Sequence, residues 1–144
     1  MNNNSINYKV YRTKEGTILE ILCAVLILFS IVLSIANRDK IGDSATGLLV
    51  MSLIFGATVA LCLVLAYFPR TFNIPDDSPA FLYAATVRFI RLASVLAALM
   101  ALGLTVCALF AVSPAPMLIG LGVVFACLMA WHLSVTFKAQ KNKG

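Results

Sequence analysis

The sequence predicts an all-α integral membrane protein, a four-helix bundle built from two antiparallel transmembrane hairpins in a single domain of 144 residues. Three observations predict it. Apolar residues make up 61% of the chain and charged residues 12%, against about 45–50% and about 25% in soluble domains. The apolar residues run in long blocks, without the alternating or helical period of a half-buried element. Polar or proline-containing stretches divide those blocks into four.

The first 14 residues are polar and open with three asparagines, too little apolar surface to fold alone. Residues 17–36 are apolar apart from Glu20 and two serines. At 1.5 Å per residue they match a hydrocarbon core of about 30 Å, which makes them the first span. The run is longer than the h-region of about 7–15 residues in a signal peptide, so an uncleaved anchor is expected. A polar turn over 37–44 leads into the second span, 45–68, with Asp43 or Ser44 placed to cap its first N–H groups and Pro69 to end it. Tyr67 and Phe68 fall at an interface, where aromatic rings bridge acyl chains and water.

The connection over 69–88 contains three prolines, and Ser78 followed by Pro79 is a helix-start signal. A helix that begins there exceeds the bilayer, so the third span is set at 89–112. The uncharged run from Leu92 carries the embedded part, and Tyr83, Arg88 and Arg91 emerge toward headgroups or the cytoplasm. The tight turn Ser113-Pro114-Ala115-Pro116 then joins a fourth span, 117–137, which closes with Trp131, His132 and three lysines.

Of the eleven Lys and Arg residues, nine lie in the N-terminal tail, the stretch 69–91 and the C-terminus, and two in the first turn. Basic residues stay on the cytoplasmic side during insertion, so both termini and the 69–88 connection are expected inside. The net charge of +5 is thus spent on anionic headgroups. No basic run interleaved with aromatics speaks for nucleic acid.

Small residues at four-residue spacing occur as Ser52, Gly56 and Ala60; as Ala93, Ala97, Ala101 and Thr105; and as Gly122, Ala126, Ala130 and Ser134. Such stripes let two helix backbones approach closely, within one chain or between two copies.

Residues for chemistry are few. Glu20 is the one carboxylate inside a span, a candidate proton site in a small proton-coupled transporter, or a charge that complements a helix N-terminus. No second buried charge is expected beside it. His132 next to Trp131 reads as an interfacial belt, and one histidine without a neighbouring Cys, Asp or Glu makes no zinc site. The four cysteines sit singly in apolar blocks. No Ser-His-acid set, buried carboxylate pair or phosphate-cradling glycine loop can be assembled, so neither an enzyme nor a cofactor is expected. Arg88 and Arg91, three residues apart on one helix face, suit phosphate headgroups or an acidic partner.

The segment Phe68-Pro69, then Phe72-Asn73-Ile74-Pro75, Tyr83, Arg88 and Ile90-Arg91, together with Glu20-Ile21-Leu22 and Asp39-Lys40-Ile41, resembles a group of small bacterial membrane proteins. Some of them carry a domain of unknown function shared with the immunity protein for the sporulation-delaying toxin. The first turn departs from that pattern, because Ile41 leads directly into Gly42-Asp43-Ser44 where the group has a His-Phe-Asn segment and a glycine. The resemblance implies a bacterial inner-membrane protein, and it makes Phe72 and Asn73, with Arg88 and Arg91, candidate contacts for a partner or lipid. The expected function is non-enzymatic association with a membrane partner or with itself, in an immunity or envelope-signalling role.

Overall fold

The computed structural model describes residues 14–65 and 80–142. Residues 1–13, the expected end of the second span with Tyr67, Phe68 and Pro69, and Phe72, Asn73 and the Ser78-Pro79 helix start lie outside those residues. Within them the chain is helical: α1 (Lys14–Ala36), the single turn α2 (Arg38–Ile41), α3 (Ser44–Leu65), α4 (Ala80–Leu109) and α5 (Ala115–Lys141). The four long helices are long and apolar enough to cross a membrane, and the chain is a multi-pass membrane protein on that ground.

Each helix end follows from local hydrogen bonding. Asn37 closes α1 by donating its backbone N–H and its side-chain amide to the Leu33 carbonyl, both at 3.1 Å. Its own carbonyl then accepts from Lys40 and Ile41 at 3.0 Å, which makes the polar turn a short helix. Gly42 turns the chain at φ 72, a region open to glycine at no steric cost. At the far end of α4, the Val112 N–H reaches the Cys107 carbonyl at 2.9 Å and the Ala111 N–H reaches Ala108 at 3.3 Å. Those two bonds form a Schellman closure, and Ala111 at φ 54 occupies its left-handed position. The helix therefore ends at Leu109, three residues before the apolar run does, because the closure turns the backbone over ahead of the prolines.

Helix α4 is the hub. It packs against α1, α3 and α5; α1 and α3 also pack on each other, whereas α5 makes comparable contact with α4 alone. The core is thus a three-helix unit with α5 laid along its outside. Large apolar side chains such as Ile18, Leu28, Ile54 and Ile119 point outward, as hydrocarbon-facing helices require.

Close approach is made by small residues. Ile27 packs with Ala98 and Ala101, and a methyl built on Gly56 would sit 3.0 Å from Ile27 Cγ2. A chain of hydroxyls crosses the same level. Ser30 Oγ lies 2.8 Å from Ser52 Oγ and 3.0 Å from Thr105 Oγ1, and Thr105 donates to the Ala101 carbonyl at 3.1 Å. Every proton is used once if Ser52 donates to Ser30, Ser30 to Thr105 and Thr105 to Ala101. All three hydroxyl residues are buried, so this chain joins α1, α3 and α4 at one point.

Two of the three small-residue stripes enter this core through Ser52, Gly56, Ala101 and Thr105. The third does not: Gly122, Ala126, Ala130 and Ser134 are exposed, on the side of α5 turned away from α4. Instead α5 meets α4 through Met117, whose sulfur rests against the bare Cα of Gly103.

Unfolding of the purified protein in detergent should separate these roles. Ser30→Ala is expected to cost about 1 kcal/mol, the scale of a hydrogen bond between membrane helices. Gly56→Leu should cost about 1–3 kcal/mol through overpacking, while Gly122→Leu leaves the melting curve of the monomer unchanged. Ala111→Gly should stabilise by about 1 kcal/mol, because it relieves the left-handed alanine.

Candidate functional site

The charged residues of α1 and α4 meet at the end of the bundle where Lys14 and α4's N-terminus lie. Arg88 donates to Glu15 Oε2 at 2.7 Å, with both side chains about half exposed at 53% and 54%. Arg91 approaches Glu20 Oε1 at 3.5 Å, and here the exposures are 6% and 17%. The first is a surface pair in water or headgroups; the second is a pair within the bundle.

Gly16 makes the second pair sterically accessible. A methyl built on Gly16 would fall onto the Arg91 guanidinium, so the arginine lies flat against α1 at the one place where that helix has no side chain. Helical spacing then puts Glu20 one turn further on the same face, with Cys23 buried beyond it. The three positions Gly16, Glu20 and Cys23 form a lane on α1 that receives Arg91 and leads down to the Ile27 contact.

The depth of the pair follows from length. From Glu20 to the polar turn at Asn37 the helix covers only about 25 Å, less than the roughly 30 Å of a hydrocarbon core. With Asn37 at one surface, a core of that thickness would put Glu20 near the margin of the other, and Arg91 packs beside it. A charge at that depth is costly unless it is matched, and each of these two supplies the other's match.

Sequence reasoning placed Glu20 without a companion charge and Arg91 at headgroup level. The structure differs on the first point, pairing Glu20 with Arg91, because the periodicity of one helix carries no information about which residue of a distant helix packs beside it. Gly16 is the signal that was passed over. It stands just before the only intramembrane acid, at a position where a glycine has no turn to make. Arg88 and Arg91, candidates for lipid or an acidic partner, each face an acid of the same chain.

His132 and Trp131, neighbours in sequence, part company in space. Trp131 is exposed on the outer surface of α5. His132 turns to α4, where its ring lies over Phe89 at 4.6 Å and its Nε2 is 3.3 Å from Thr86 Oγ1. Thr86 already donates its proton to the Leu82 carbonyl at 2.8 Å, so toward His132 it accepts, and Nε2 carries the hydrogen. With Phe125 packed at 6.5 Å from Phe89, this cluster fastens α5 to α4. Among the described residues no group of three or more His, Cys, Asp or Glu side chains could hold a metal ion.

Comparison of the chain with protein-family models, with curated proteins and with solved structures finds no match.

The two ion pairs should respond differently to mutation. Removing one member of the inner pair, by Glu20→Ala or Arg91→Ala, is expected to destabilise the protein by about 3 kcal/mol, since the remaining charge stays buried. Glu15→Ala should cost less than about 1 kcal/mol. Gly16→Leu should reproduce the loss of Arg91→Ala, and combining the two should add little, which thermal melts of the native protein and these three variants would show.

Proposed function

We propose that this chain is a bacterial inner-membrane protein, with both termini in the cytoplasm, that works without catalysis by associating in the plane of the bilayer with a second copy or with another membrane protein. An immunity or envelope-signalling role fits the group of small membrane proteins that its middle connection resembles. Lys14, Lys138 and Lys141 then face anionic headgroups on the inner leaflet.

The outer surface of α5 carries the reading. No residue in the apolar window of this helix is buried. Its side opposite α4 presents Gly122, Ala126, Ala130 and Ser134 in one line, flanked by Ile119 and Phe137. Lipid tails are served as well by leucine as by glycine, so a line of small residues gains nothing from lipid. Against another helix it permits the close backbone approach on which association in membranes depends.

A second reading, a small proton-coupled transporter that uses Glu20, is favoured by the buried counter-charge that Arg91 provides. Glu20→Gln abolishing proton-coupled efflux would carry it, and an absence of efflux from the native protein would end it.

Disulfide trapping in native membranes, on a background without the four natural cysteines, tests the first reading. Ala126→Cys or Ala130→Cys should give a crosslinked species, and Val135→Cys, on the side toward α4, should give none. Adding Gly122→Leu should weaken association about tenfold, equivalent to about 1.4 kcal/mol. A chain that stays monomeric, crosslinks to nothing at either position and retains no partner on purification would overturn the proposal.

A further inference from the structure

Resting on the reading of α5 as an association surface, we propose that the helix it receives belongs to another protein and carries acidic residues where it leaves the bilayer, opposite Lys138 and Lys141.

Charge is shared unevenly at that end of the bundle. Glu15 and Glu20 of α1 meet Arg88 and Arg91 of α4, so these acids are engaged within the chain. Helix α5 contains no Asp or Glu, and among the described residues Lys138 and Lys141 form no ion pair.

Their position directs that charge. Lys141 lies eleven residues beyond Ala130 and seven beyond Ser134, close to three and two whole turns, so it falls on the exposed face that these residues present. Lys138, one turn beyond Ser134, flanks the same face. Half-buried Leu128 and Val135 and buried Ala139 mark the opposite side, turned to the bundle. The outward faces of α1 and α3 lack this combination: they present large side chains such as Ile18, Val25, Phe29 and Ile54, which lipid solvates well.

Symmetry separates the two occupants that the face could take. Two copies inserted in the same direction pack about an axis along the membrane normal, and a residue at the centre of the shared face meets its own counterpart. Lys141 would then stand against Lys141, with no carboxylate of α5 to come between them. Small residues allow either association, but the charge that continues their face favours a helix of opposite sign and selects against self-pairing. A headgroup phosphate is met equally well from any side of a helix, whereas a packed partner's flanking carboxylate is met only from the packing face.

A charge-swapped copy of the full-length chain, Lys138→Glu with Lys141→Glu, supplies a partner of known sequence with an acidic flank. Energy transfer between differently labelled copies is measured in bilayers that contain anionic lipid, so that headgroups compete for the lysines. The mixed pair of native and swapped chains should associate about tenfold more tightly than native with native or swapped with swapped, the scale of turning exposed like-charge contacts into opposite ones. Lys138→Gln with Lys141→Gln, a milder change, should fall between, and added salt should remove the preference. Ala130→Leu in either chain should weaken the mixed pair. Native chains that pair with each other as tightly as with the swapped chain would overturn the inference and leave the association reading standing, with a second copy as the occupant. A preference confined to neutral lipid would assign the lysines to headgroups and overturn it too. Association in none of the pairs would overturn the inference together with the reading on which it rests.

Discussion

Helices in hydrocarbon have no water to escape, and every contact that orders this bundle has to come from close backbone approach or from polar groups that find each other. That constraint explains where the few non-leucine-like residues stand. Gly56 lets α3 meet Ile27, Ala98 and Ala101 let α4 meet the same side chain, and Ser30 joins both helices to α1 by a hydroxyl chain. One turn from the cationic end, Gly16 admits an arginine and Glu20 neutralises it. The apolar majority faces outward and keeps the protein in the membrane, while a small set of glycines, alanines, hydroxyls and one ion pair specifies how the helices fit.

The two kinds of contact divide the work by depth. Hydroxyls are cheap to insert and give directional but modest bonds, so they suit the middle of the bundle, where three helices must agree on a register. An ion pair is costly to insert and strong once assembled, so it suits the margin of the hydrocarbon, close to water. The exposed Glu15–Arg88 pair continues the same line into the aqueous layer, where it contributes little to stability. Along α1, then, the contacts with α4 grade from surface charge to buried charge to apolar packing to hydroxyls.

Much of the architecture was legible in the sequence. Block length pointed to four long apolar helices, Pro114 marked the second turn with Pro116 already inside the first turn of α5, and Gly42 lay in the first turn. What could not be read was pairing between helices. Nothing in residues 14–36 says that Gly16 receives a side chain from position 91, because a glycine seat looks like any glycine until its neighbour is known. The end of α4 was hidden for a related reason: a Schellman closure announces itself with glycine, and here alanine takes the left-handed position. The small-residue stripes were visible as stripes, but periodicity assigns a residue to a face and says nothing of what the face meets. Ser52 and Gly56 of the α3 stripe therefore proved internal, whereas the α5 stripe is external, with the same spacing in both.

That last contrast bears on what the protein is for. The α1–α3–α4 unit already uses each contact type available to it: an exposed and a buried ion pair, a hydroxyl chain and an apolar cluster. Helix α5 adds none of these to the core. It is fastened to α4 by Thr86, Phe89, His132 and the Met117–Gly103 contact, and its one surface suited to close packing is turned away from the rest of the chain. A fourth helix needed only to complete the bundle would bury its small residues against α1 or α3, as α3 does with Gly56. Holding them outside leaves on α5 the line of small residues on which the proposed association with another membrane helix rests.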